Sequence, residues 1–176
     1  MGLLLHTIGM LAFAHAGNLP VAVVAEQARC YATVDQAAIE ALKVAMALRS
    51  DVEHGGAIYD RGGCFVFSAP VTNDKPSLVQ FRIRTSTTSR LAGIYHTHTA
   101  SSGCDHFSGV DVLQARYARV PSFIGVHGPG HIRKLAGERL PPGPLTDGDR
   151  AVLRAAAERG VLLMQLRSPV PLESQS

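Results

Sequence analysis

Two glycine-rich turns, each flanked by β-prone runs, set the tightest limit on what this chain can fold into. Asp60-Arg61-Gly62-Gly63 separates Gly55-Gly56-Ala57-Ile58-Tyr59 from Cys64-Phe65-Val66-Phe67, and Gly128-Pro129-Gly130 separates Ser122-Phe123-Ile124-Gly125-Val126 from His131-Ile132-Arg133-Lys134-Leu135. Both read as hairpins, which excludes an all-helical protein. Ahead of the first hairpin, Thr33-Val34-Asp35-Gln36 has the form of a capping box. Ala37, Ile39, Ala41, Leu42, Val44, Ala45, Met46 and Leu48 then recur at helical spacing, which predicts a helix over 34–49. Residues 70–78 read as a loop, Val79-Gln80-Phe81-Arg82-Ile83-Arg84 as a strand with one wet face, and 85–89 as a polar connection. A β-prone run over 91–98 leads to a helix capped by Ser108. After the second hairpin Pro141-Pro142-Gly143-Pro144 breaks the chain, Thr146 caps a last helix to about Arg159, and 161–166 forms a final strand. The expected fold is mixed α/β (α+β) in a single domain over 31–168, preceded by an N-terminal segment (1–30) and followed by a polar tail (169–176).

Composition removes several classes of function. Folding buries roughly 70% of the surface of a chain this long, enough for one core. A hydrophobic content of 46% with net charge +3 is that of a globular protein, not a disordered one. No stretch reaches the roughly 20 apolar residues of a membrane-spanning helix. The densest basic stretch, Arg82, Arg84 and Arg90, has no interleaved aromatic residues, and Phe65 and Phe67 share a core face, so nucleic acid is not an expected partner. Three cysteines without a C-x-x-C pair exclude zinc ribbons and disulfide scaffolds; Cys30 and Cys64 read as buried small hydrophobes. Residues 3–16 resemble a secretory h-region with Ala14-His15-Ala16 as a small-x-small cleavage site, yet no Lys or Arg precedes Arg29. A signal peptide over 1–16 and an N-terminal element packed on the domain both stay open, and export or cytoplasm with them.

The chemistry concentrates in His96-Thr97-His98, Ser108 and Asp111. On a strand, residues two apart face the same way, so the two imidazoles project together. Two histidines can take two corners of a zinc tetrahedron, and an open site needs a third ligand and a water. Asp111 lies in the first turn of the helix that Ser108 caps, where a carboxylate can return over the strand end. Each half alone is better explained by a solvated histidine pair and a capping box; the two together, strand then helix, point to a metal. Glu53, ahead of the Gly55-Gly56 strand, is placed to act as a base, although it also sits in a charged turn. His54 and His106 lie near this cluster and read as solvated; His127 and His131 flank a turn and read as exposed.

Glu53-His54-Gly55-Gly56, Gly93-Ile94-Tyr95-His96-Thr97-His98 and Phe107-Ser108-x-x-Asp111 together resemble the JAMM (MPN-plus) zinc metalloproteases, nearest to small bacterial JAB-like domains, many of them toxin-associated. The resemblance covers about residues 33–136. It implies a cytidine-deaminase-like α/β/α sandwich around a mixed sheet. It also implies Zn2+ held by His96, His98 and Asp111, Glu53 as general base, and Ser108 as an oxyanion donor that holds the site's geometry. The implied activity is hydrolysis of a peptide or isopeptide bond in a protein or peptide, in several relatives at a ubiquitin-like C-terminus. A noncatalytic MPN-like interaction module and a secreted toxin or effector are the alternatives. Residues 99–107 make nine between the second His and Ser108, longer than the family's usual interval, so Cys104, Asp105 and His106 stay open as third ligands. Zinc deaminases carry His-x-Glu and Pro-Cys-x-x-Cys, and neither occurs here.

Overall fold

The computed structural model describes residues 29–102, 104–137 and 160–166, with the short strands β1 (Leu5–His6) and β2 (Val21–Ala22). The helical pattern after Thr33 becomes α1 (Val34–Met46). Thr33 Oγ1 accepts from Gln36 N at 3.1 Å, while Gln36 Oε1 accepts from Ala32 N at 3.2 Å, one residue ahead of the reciprocal partner a capping box uses. Its buried stripe is mostly alanine (Ala37, Ala38, Ala41, Leu42, Ala45), which lets the helix axis lie close to a sheet.

Both hairpins form. The first joins β3 (His54–Asp60) to β4 (Phe65–Phe67). β5 (Val71–Thr72) continues along the same edge of β3, inside the stretch expected to be loop. β6 (Arg82–Arg84) is only the end of the strand expected over 79–84, because Gln80 N donates to the Asn73 side chain instead of entering a ladder. β7 (Arg90–His98) is the central strand, followed by α2 (Gly109–Ala118), β8 (Ser122–Val126), β9 (His131–Leu135) and β10 (Val161–Gln165). The main sheet runs β10-β9-β8-β7-β3-β4, with β7 and β8 parallel and the other neighbours antiparallel; β6 pairs separately with β1 and β2.

A parallel neighbour requires a crossover, and α2 supplies it. Val112 and Ala115 of α2 pack with Phe107, Ile124, Val126 and Leu135 on one face, while α1 packs with Ile58, Tyr95, Phe123 and Ile132 on the other. The described residues are thus a mixed α+β domain with helices on both faces of a mixed sheet. No described helix is long and apolar enough to cross a membrane.

Cys30 and Cys64 are a disulfide, with Cα atoms 5.2 Å apart, rather than two separate buried thiols. Tyr31 and Phe65 exchange backbone hydrogen bonds (2.9 and 3.0 Å) in an antiparallel bridge, which brings the two cysteine-bearing segments together, with Cys30 and Cys64 diagonal across it. The leader-like run over 3–16 apart from 5–6, the 141–144 break, the Thr146-capped helix and the tail lie outside the described residues.

Candidate metal centre

His96 and His98 stand on the α2 face at the end of β7, because alternation puts them on the side of Ile94 and opposite Tyr95 and Thr97. The parallel register aligns His96 with Ile124, which is packed under α2. Asp111 is the third residue of α2, and Ser108 caps it reciprocally: Ser108 N and Oγ both donate to Asp111 Oδ2 at 2.7 Å, and Asp111 N donates to Ser108 Oγ at 3.3 Å. The box that starts the helix also aims its carboxylate at the histidines.

Three ligand atoms converge. His96 Nε2 lies 3.1 Å from His98 Nε2 and 3.3 Å from Asp111 Oδ1, and His98 Nε2 lies 3.8 Å from Asp111 Oδ2. A tetrahedron with metal–ligand bonds of about 2.0–2.1 Å has edges of about 3.3 Å, so these separations fit one divalent cation. His98 Nδ1 is 3.0 Å from the Cys104 carbonyl, which can only accept. The proton of the neutral ring is therefore on Nδ1, and Nε2 turns a bare lone pair toward its neighbours. All three side chains are buried, at 9% (His96), 6% (His98) and 8% (Asp111) exposure. A lone pair and a carboxylate this close repel unless a cation is shared between them. Burial pushes the His96 imidazole down, but Asp111, by charge and hydrogen bond, and Glu53 outweigh it and raise it above its ordinary value. Burial opposes ionisation of Asp111 in turn, and His96, by charge and hydrogen bond, with Ser108 holds it well below the usual carboxylate range.

Glu53 is half-buried just before β3, its N–H donating to Lys75 O at 2.9 Å. It lines the same cleft, of about 280 Å³, as His96, His98, Ser108 and Asp111. Burial raises its carboxyl, with the two histidines pulling the other way and Asp111 adding to the rise. The cleft's other wall is apolar, with Leu78, Val79, Phe81, Ile83 and Ile94. Gly55 faces this wall: a Cβ there would meet Val79 Cγ1 at 2.9 Å and Phe81 Cε1 at 3.1 Å, so only glycine lets the wall close down beside His96.

The alternative third ligands resolve differently. Asp105 turns away: both its oxygens bond Arg133 (2.7 and 2.6 Å), and His131 Nδ1 donates to Oδ1 at 3.0 Å. Cys104 and His106 line the cleft without joining the ligand group. His131 is consequently tied down rather than exposed, and His127 is half-buried with Nε2 enclosed. His54 is not solvated either, at 5% exposure on the opposite face of β3, with its N–H donating to Thr97 Oγ1 at 3.0 Å. The Asp105–Arg133–His131 group has no signal in the sequence, since its members lie 26 and 28 residues apart and pair only through the sheet. Among the described residues, His96, His98 and Asp111 are the one group of three metal-ligating side chains. The chain matches no known family model, no curated protein and no solved structure.

Proposed function

We propose that this chain is a zinc-dependent hydrolase of the JAMM type, on a cytidine-deaminase-like sandwich, cleaving a peptide or isopeptide bond in a protein or peptide. The observation that carries this is the convergence of two imidazole nitrogens and a carboxylate oxygen at tetrahedral spacing, with the half-buried Glu53 carboxyl in the same open cleft. His96, His98 and Asp111 would hold the ion. When bound, zinc supplies Lewis-acid polarisation and lowers the pKa of water to about 7. Glu53, lifted by burial toward the pH at which a carboxyl both takes and returns a proton, receives one from the attacking water and delivers it to the leaving amine. Ser108 Oγ donates to Asp111 Oδ2, so it positions the ligand; being exposed at the cleft mouth, its hydroxyl can rotate toward a substrate oxyanion.

The test is zinc per chain together with peptide hydrolysis. Near-stoichiometric metal in the wild type, lost in His96→Ala, His98→Ala and Asp111→Ala, is the expected result. Glu53→Gln should keep its zinc and lose about 10²–10⁴ in rate. Zinc without hydrolysis of any peptide would leave the noncatalytic module, and so would a chain that takes up no zinc. The Cys30–Cys64 bridge favours the exported version of this enzyme, since disulfides persist in oxidising compartments. Thiol titration of the unreduced, denatured chain should then find only Cys104.

A further inference from the structure

The stretch between the second histidine and Ser108 is pinned at both ends. Ser102 N and Oγ donate to Thr99 O at 3.2 and 2.8 Å, and Phe107 is fully buried under α2. Its middle is held by charge: Arg133 Nε donates to Asp105 Oδ1 and its terminal nitrogen to Oδ2, the two-pronged geometry that fixes a carboxylate in direction as well as distance. His131 Nδ1 adds a third bond. Arg133 and His131 sit on β9, two residues apart and so on one face, part of a rigid ladder with β8 and β10. The residue next to Asp105 is Cys104, whose carbonyl accepts from His98 Nδ1.

We infer that Asp105 is a positioning residue for the metal centre: clamped by Arg133 and His131 of β9, it holds the Cys104 carbonyl where it keeps His98 in the Nδ1–H tautomer with Nε2 free. This rests on the zinc-hydrolase proposal only for its consequence, since the tautomer is a property of the metal-free chain. The clamp makes the long interval before Ser108 compatible with ligation: a loop of this length left free would not present a carbonyl at a fixed point. Orienting partners of ligating histidines govern metal affinity by about ten- to a hundredfold.

The experiment uses the full chain, labelled with 15N at histidine, metal-free and at about pH 8, above the ordinary imidazole range. Wild-type His98 should show the Nδ1–H pattern. Asp105→Asn and Arg133→Gln should each convert it to a tautomer mixture and raise the zinc Kd, measured by chelator competition, about ten- to a hundredfold. The double variant should be no worse than either single, since both remove one unit. Arg133→Gln carries the test if Asp105→Asn does not fold. An unchanged His98 pattern in a folded variant overturns the inference, whatever the zinc affinity does. A wild type that takes up no zinc overturns the hydrolase proposal instead, and the tautomer still decides the role of Asp105.

Discussion

Two pairs of histidines sit back to back where β7 ends, and their fates differ. His96 and His98 face the α2 side and share the Asp111 carboxylate. His54 is on the α1 side, electrostatically coupled to His127, and among the described residues His54 Nδ1 and His127 Nε2 have no hydrogen-bond partner. Burial dominates the rear pair and lowers both imidazoles, with His54 adding to the lowering of His127. In front, burial is present too, but the Asp111 carboxylate, with Glu53 adding to it, reverses its effect on His96. Burial alone makes a histidine neutral and inert; burial beside an acid makes a place that needs a cation.

The sharpest way to break this contrast is to add zinc. Metal that binds only the folded chain stabilises it by about 4 kcal/mol at a thousandfold excess over Kd. In a domain of this size that is a rise of roughly 8–16 °C in Tm. His98→Ala and Asp111→Ala should abolish the rise, while His54→Gln and His127→Gln should keep it. A rise that survives the front substitutions and vanishes with the rear ones would reverse the assignment of the two faces.

The adjacent glycines test the same two faces by volume. A Cβ on Gly56, on the rear face, would lie 2.5 Å from both Tyr95 Oη and Ser68 Oγ. Tyr95 cannot yield, because its ring is buried and its hydroxyl donates to Ser68 O at 2.7 Å. Gly56→Ala should cost about 1–3 kcal/mol in urea unfolding and leave zinc stoichiometry intact. Gly55→Ala on the front meets the Val79 and Phe81 side-chain ends and, at 3.0 Å, Tyr95 O. It should destabilise less but displace the apolar wall, seen as weaker peptide turnover at unchanged zinc. Equal stability losses with equal turnover would show that the two faces are not packed differently.

Acidity separates the pairs in the metal-free chain by smaller amounts. Asp111 is depressed, so its stabilisation is present above about pH 4 and is lost as pH falls through its lower folded value. His96 is raised, so its contribution is full below about pH 6.5 and is lost as pH climbs through its higher folded value. The rear histidines are depressed, so below about pH 6.5 the unfolded chain takes up their protons first and stability drops. Scanning Tm against pH, His96→Gln should flatten the alkaline limb and His54→Gln should shallow the decline below neutrality, each by a few degrees. A His54→Gln profile that falls as steeply as wild type would remove the rear pair from the account.

Period-two alternation made the front pair legible before any coordinates, and Ser108-x-x-Asp111 made its cap legible, because both depend on residues within one element. The two hairpins and α1 were legible for the same reason. What escaped depended on partners far along the chain. β5 is two residues long and exists only because His54 and Gly55 offer an edge. The disulfide follows from the Tyr31–Phe65 bridge, not from the spacing of its cysteines. The burial of His54 and the capture of Asp105 by Arg133 are likewise products of the sheet.

The smallest expected effect concerns the loop residues that sequence left open as ligands. Cys104 engages His98 through its main-chain carbonyl, so its side chain can change without altering that bond. His106 lines the cleft but offers no nitrogen to the three converging atoms. Cys104→Ser and His106→Ala should therefore leave zinc stoichiometry unchanged and the Kd within about twofold, well under the ten- to hundredfold that an orienting contact is worth. A thiolate ligand would behave otherwise, because replacing sulfur by a hydroxyl removes a soft donor that zinc binds strongly. A Cys104→Ser chain that loses its metal would close the coordination sphere with protein atoms. The front face would then be a structural zinc site, and the difference between the two histidine pairs would no longer be one between a reactive centre and an inert one.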